Sequence, residues 1–150
     1  MNLKFICLLP VLLASAFAQS PPSVRTKIVS VSIGGNVENL FFKTGEEVLP
    51  FGANQLGFGP ALDYTGPRRF LLYASESDFG KKDPEARPVA FADLPLNAEK
   101  ILLLCVTDSS GTLRLVPYVI SSGEFHAGDY RIFNLSQKTL SVIVGGRKFV

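Results

Sequence analysis

The chain has no tryptophan, one histidine, one methionine and two cysteines in 150 residues. These scarcities exclude chemistry. A structural zinc site takes four Cys or His ligands. A blue-copper site takes two histidines, a cysteine and usually a weak methionine. Cys105 and His126 can supply neither set, because Met1 and Cys7 fall in a leader segment. One cysteine outside that leader closes no internal disulfide. The tryptophan platform common in sugar binding has no ring to build it. Charge of one sign is also missing: 15 Lys and Arg oppose 13 Asp and Glu, a net charge of +2. That balance offers no polybasic face for nucleic acid and no acidic tail. There is no Gly-x-Ser-x-Gly nucleophile elbow. Gly57-Phe-Gly-Pro60 lacks the Gly-Lys-Ser/Thr of a phosphate loop and leads into no helix.

What is present begins with an address. Lys4 precedes an apolar run from Phe5 to Ala14, and Ser15-Ala-Phe-Ala18 follows in an Ala-x-Ala arrangement. This is the pattern of a secretory signal peptide. The run is interrupted by Pro10 and is shorter than the roughly 20 residues of a membrane span. Cleavage is expected after Ala18, which makes 1–18 the signal peptide and 19–23 a flexible lead-in. The expected location is secreted or periplasmic, with no transmembrane segment in the mature chain. Cys105, within Ile101-Leu-Leu-Leu-Cys-Val106, is expected to be buried and inert.

From Val24 onward the pattern is strands and turns. Val24, Thr26 and Ile28 share one parity; Val29, Val31 and Ile33 share the other. That switch predicts a bulge or a strand buried on both faces. Gly34-Gly35-Asn36 turns into a strand over Val37–Lys43, and Gly45-Glu46-Glu47 into a short one over Val48–Phe51. Residues 52–67 read as a loop closing in a turn at Tyr64-Thr-Gly-Pro67. Strands follow over Arg69–Ala74 and Pro88–Ala92, around a mixed-charge loop at 76–87. Lys100–Thr107 is apolar without alternation, so it is expected to be central and covered on both faces. Asp108-Ser-Ser-Gly111 closes a hairpin onto Thr112–Ser121; Tyr130–Leu135 and Thr139–Val144 are further strands. Arg147–Val150 starts one more, so either Val150 sits on an edge or the natural polypeptide continues. The expectation is an all-β chain, an antiparallel β-sandwich forming a single domain over 24–150.

Gly128-Asp-Tyr-Arg-Ile-Phe-Asn-Leu135 resembles the strand that carries a structural tyrosine in immunoglobulin-like sandwiches. With the leader and Tyr64-Thr-Gly-Pro-Arg-Arg-Phe-Leu-Leu-Tyr73, it resembles exported bacterial β-sandwich proteins of unknown function. The resemblance implies an immunoglobulin-like fold and export, and it brings no catalytic residues.

Candidate site residues are few. Phe58 and Tyr64, in the Gly-rich loop, form an aromatic contact surface on one reading; on the other, Phe58 folds back over the core. Arg68, beside Arg69, is an anion-binding candidate or a solvated cation; neighbours on a regular strand point to opposite faces. His126 is a binding residue or a plain loop histidine. In a hydrolase it would be a general base oriented by Asp129, with Ser121 or Ser122 as nucleophile. Calcium binding at Asp78, Asp83 and Glu85 is opposed by Lys81 and Lys82. Asn134-Leu-Ser136 is a glycosylation triplet only where that machinery exists. No metal, cofactor or catalytic residue is expected. The leading expectation is a non-catalytic binding or structural module for a protein or cell-envelope ligand. The alternatives are the hydrolase and an assembly subunit that pairs through an edge strand near Val142–Val150.

Overall fold

A computed structural model describes residues 22–55, 57–81, 86–121, 132–136 and 138–149. They form ten strands: β1 (Ser23–Ile33), β2 (Val37–Thr44), β3 (Glu47–Ala53), β4 (Leu62–Pro67), β5 (Arg69–Leu72), β6 (Ala90–Asp93), β7 (Lys100–Thr107), β8 (Leu113–Val119), β9 (Val142–Val144) and β10 (Arg147–Phe149). A single 3-10 turn, Glu76–Asp78, is the only helical element among the described residues, so the fold class is all-β. No helix there is long and apolar enough to cross a membrane.

The central sheet has the order β4-β1-β7-β8. β1 carries the parity switch, and the structure resolves it as burial on both faces. Val24, Thr26, Ile28, Ser30 and Ser32 are all buried on one parity, and Val29 is buried on the other. The register of β1 against both neighbours runs without a shift, so no bulge is needed. β7 lies inside the sheet with Ile101 through Cys105 all buried, as its unbroken apolar run predicts. β8 sits at the sheet end and accommodates Pro117, whose missing N–H is tolerated on an edge.

Two expectations change in the central sheet. The sheet is mixed rather than antiparallel, because β1 and β7 pair in parallel from Lys27↔Lys100 to Ile33↔Val106. A parallel pair needs a long crossover. Here the crossover is everything from Gly34 to Glu99, including β2 to β6. Local turn signals report hairpins and carry no information about such a distant pairing. The second change is β4, which the sequence suggested was a loop. It pairs antiparallel with β1 from Ser23↔Pro67 to Ile28↔Leu62. Its glycine and proline have other reasons to be there. A Cβ on Gly66 would lie 2.8 Å from the Tyr64 hydroxyl, and Pro67 occupies the strand's last position.

β2–β3 and β5–β6 are antiparallel hairpins joined by one bridge between Phe41 and Tyr73. Both backbone bonds of that bridge form, at 2.9 and 3.0 Å. The core lies where these hairpins meet the central sheet. Phe70 is its hub: its ring centroid is 5.6 Å from Phe42, 6.0 Å from Phe51 and 5.2 Å from Tyr64. Ile28, Leu72, Leu94, Ile101, Leu103 and Cys105 complete it.

The C-terminal part departs from expectation. Ile132–Leu135 forms no strand, and the later strand shrinks to Val142–Val144. Asn134 explains the first change. Its Oδ1 accepts from the Ser136 amide at 3.0 Å, and its Nδ2 donates to the Lys138 carbonyl at 2.7 Å, closing a turn. β9 and β10 pair with each other and with no other strand among the described residues.

Candidate functional site

Of the four residues that the sequence singled out, the three that are described, Phe58, Tyr64 and Arg68, do not converge. Phe58 is 71% exposed on its loop and does not fold over the core. That loop is tied to mid-β1 by the Gly59 amide, which donates to the Ser30 carbonyl at 2.9 Å. Arg68 lies at the other end of β1, its amide bonded to Pro22 at 3.1 Å. Eight residues of strand, about 25 Å, separate those two anchor points. The Arg68 Nε donates to the Leu94 carbonyl at 3.3 Å, so the side chain braces a turn. Tyr64 is buried in the core, not displayed beside Phe58. Its hydroxyl donates to the Pro67 carbonyl at 2.7 Å, and burial pushes its pKa up to about 12. It therefore holds the end of β4 in place. His126, Asp129 and Ser122 lie outside the described residues, as do Lys82, Asp83 and Glu85. Ser121 is described and exposed.

Another set of residues does converge. A cleft of about 320 Å³ opens where β2, β4 and β5 meet. Its position follows from a clip between a turn and a strand. The Gly45 amide donates to the Thr65 carbonyl at 2.7 Å, the Thr65 amide to the Thr44 hydroxyl at 2.9 Å, and that hydroxyl to the Asp63 carbonyl at 3.3 Å. The clip holds the β2–β3 turn against β4. Phe79, just after the 3-10 turn, is set edge-on against Tyr73 with centroids 4.7 Å apart. Phe79, Leu71 and Pro67 supply apolar lining, and Tyr64 borders the cleft from the core side.

Two cations, Lys43 and Arg69, also line this cleft. Lys43 Nζ is 3.0 Å from Glu46 Oε2. Arg69 grips Asp93 with both arms of its fork, at 3.0 and 3.1 Å, and its guanidinium lies 5.2 Å from the Phe91 ring centroid. Hydrogen bonding to Arg69 holds the Asp93 carboxyl below the usual carboxylate range, and Asp93 raises Arg69 in turn. Both ion pairs are solvent-exposed, where such pairs contribute little. A competing anion can therefore exchange for a side-chain carboxylate. Chemically, the arrangement can hold a negative group against the cations and an apolar body against Leu71 and Phe79.

The described residues contain no group of three or more His, Cys, Asp or Glu placed to hold a metal ion. Cys105 is fully buried, and burial pushes its thiol up to about 12. It is a protonated core side chain, as its apolar surroundings in the sequence imply.

Sequence reasoning missed Lys43, Arg69, Leu71 and Phe79 as a group. Arg69 and Leu71 do fall inside the patterned stretch 64–73, and alternation places both on one face of β5. Lys43 and Phe79 come from other elements and carry no local signal. Comparison with family models, with curated proteins and with solved structures finds no match to this chain.

Proposed function

We propose that the chain is an exported, non-catalytic binding module built as an immunoglobulin-like sandwich, and that its cleft holds an anion attached to an apolar body. Export rests on the leader at 1–18. The sandwich reading is supported by the way the two hairpins face the central sheet across Phe42, Phe51 and Phe70. Its immunoglobulin-like part rests on the resemblance of Gly128–Leu135. The parallel β1–β7 pair weighs against a strictly antiparallel member of that class.

The observation that carries the binding reading is the pairing of Lys43 and Arg69 with an apolar lining in one cleft. Small-molecule sites combine an apolar wall with a few convergent polar groups in this way. Octanoate is a suitable probe, with octanol as its uncharged control. In an amide-resolved NMR titration, octanoate is expected to shift Gly45, Thr65, Gly66, Arg69 and Phe79 saturably, and octanol is not. Arg69→Ala is expected to weaken binding several-fold. If octanoate produces no saturable shift at these amides, the binding reading fails. Export is tested separately by the intact mass of the secreted protein, which places Gln19 at its N-terminus if the leader is cleaved as proposed.

A further inference from the structure

Segment 132–149 has a charge character of its own. It carries Lys138, Arg147 and Lys148 and no Asp or Glu. None of the ion pairs among the described residues includes these three cations. Lys27, Lys43, Arg69 and Lys81 each have a carboxylate at 2.8–3.9 Å. Arg25, Arg68, Lys100 and Arg114 are in no ion pair among the described residues either, so what sets the segment apart is that its cations occur with no acidic residue at all.

In the same segment Phe133 packs on Tyr118 with ring centroids 4.4 Å apart, but four large apolar side chains turn outward. Ile143 is 70% exposed, Phe149 53%, Ile132 52% and Leu140 46%. Register distributes them over both faces of the hairpin. Ile143 lies opposite Lys148 on one face; Val142 opposite Phe149 and Val144 opposite Arg147 lie on the other. On the Phe149 face a recess of about 500 Å³ is shared with Ile132, Leu140 and Val142. The tip is Gly145-Gly146, with φ of +56° and +78°. Two successive positive φ angles make the tight turn that glycine allows, so the tip carries no side chain.

A rigid protein groove covers one face of a hairpin, whereas a fluid interface envelops both. Strand addition finds few backbone groups along edges only three residues long. Those strands span about 10 Å, comparable with the 5–10 Å that interfacial segments reach below the headgroups. Unpaired cations beside exposed aliphatic and aromatic side chains complement a surface that is anionic outside and apolar within.

We propose that the β9–β10 hairpin docks this protein on an anionic lipid surface, tip first. Val144 and Ile143, nearest the tip, enter the acyl boundary. Arg147 and Lys148 reach back along the hairpin to headgroup phosphates together with Lys138, and Phe149, at the hairpin base, sits at the interface. None of the cleft residues takes part, so the failure of this proposal leaves the cleft reading intact, and the reverse also holds.

The absence of tryptophan provides a clean reporter, because Phe149→Trp introduces the only indole in the chain. Its emission is expected to shift to the blue with vesicles of equimolar phosphatidylglycerol and phosphatidylcholine. No shift is expected with phosphatidylcholine alone. Added salt should weaken the partition. In the Phe149→Trp background, Arg147→Gln and Lys148→Gln should each lower it about fivefold, and Ile143→Asn at least tenfold. A leader that drives vesicle association by itself leaves the indole emission unchanged, which separates the two causes. An unchanged emission on anionic vesicles overturns the proposal. So does an equal shift on neutral vesicles, or a blue shift without vesicles that grows with protein concentration. The last outcome would assign the hairpin to a second copy of the chain.

Discussion

The central sheet and the C-terminal hairpin are built from similar residues, and context treats them differently. Both contain runs of Val, Ile and Leu. In β7 five successive side chains are buried, and three of them, Ile101, Leu103 and Cys105, join the core shared with the facing hairpins. In β9 none of the three is fully buried, and in β10 all three are exposed. The buried hydroxyls of β1 show the same contrast. Ser30 donates to the Gly52 carbonyl at 2.9 Å and Ser32 to the Cys105 carbonyl at 3.2 Å. No buried side-chain nitrogen or oxygen among the described residues lacks a partner. Where strands have neighbours on both sides, polar groups are matched and charges sit at the rim. Where a hairpin pairs with no other strand among the described residues, exposed apolar side chains and cations in no ion pair there face outward together. Apolar composition therefore does not by itself make a core; strand neighbours do.

That contrast can be broken by substitution, and Phe70→Ala should break it most. Phe70 is fully buried at the centre of the aromatic cluster, so its loss is expected to cost about 3–5 kcal/mol in urea unfolding. A loss below about 1 kcal/mol would mean that the cluster is not the core.

Tyr64 comes next. Tyr64→Phe leaves the Pro67 carbonyl without its donor and is expected to cost about 1–3 kcal/mol. Gly66→Ala should cost a similar amount, because its Cβ meets the Tyr64 hydroxyl and ring. Removing the hydroxyl should relieve part of that clash, so the double variant is expected to lose less than the sum. Strict additivity would place the two residues out of contact.

The alkaline limb supplies a third test. Cys105 and Tyr64 are both raised to about 12 by burial, from ordinary values of 9.0 and 10.0. The folded state therefore keeps protons that the unfolded chain releases. Stability from these groups is complete below about pH 9 and is lost as pH rises towards about 12. Urea midpoints should fall across that window and fall less in Tyr64→Phe. The Cys105 thiol should react with a disulfide reagent only as fast as the protein opens.

The smallest effect is expected at the hairpin. Ile143→Ser should change stability by about 0.5 kcal/mol or less. A large loss would show that the hairpin is packed in solution and would erase the contrast with the sheet.

Much of the fold could be read along the chain. The alternation in Val24–Ile33, the Gly-containing turns at 34–36 and 45–47, and the unbroken run at 101–106 all point to strands that exist. β4 escaped notice because Gly66 and Pro67 look like turn residues, whereas Gly66 serves the packing of a tyrosine two positions away. Of the strand expected over Tyr130–Leu135, Tyr130 and Arg131 lie outside the described residues, and Ile132–Leu135 forms none beside Asn134, whose side chain captures a turn. The cleft was the least visible part. Its cations are 26 positions apart in sequence, Lys43 on β2 and Arg69 on β5, and it takes the long-range Phe41–Tyr73 bridge and the clip from Thr44 and Gly45 to β4 to bring them together.

The sequence by itself determined the secondary-structure class, the position of most turns and the burial of Cys105, because hydrophobic periodicity and glycine punctuation act over a few residues. The tertiary structure alone decided that β1 and β7 run in parallel. It also decided that Tyr64 faces inward, that Lys43 and Arg69 share a cleft, and that the last hairpin keeps its apolar side chains outside. Each of these depends on which distant strands become neighbours, and that is settled by how the whole apolar surface can be buried at once.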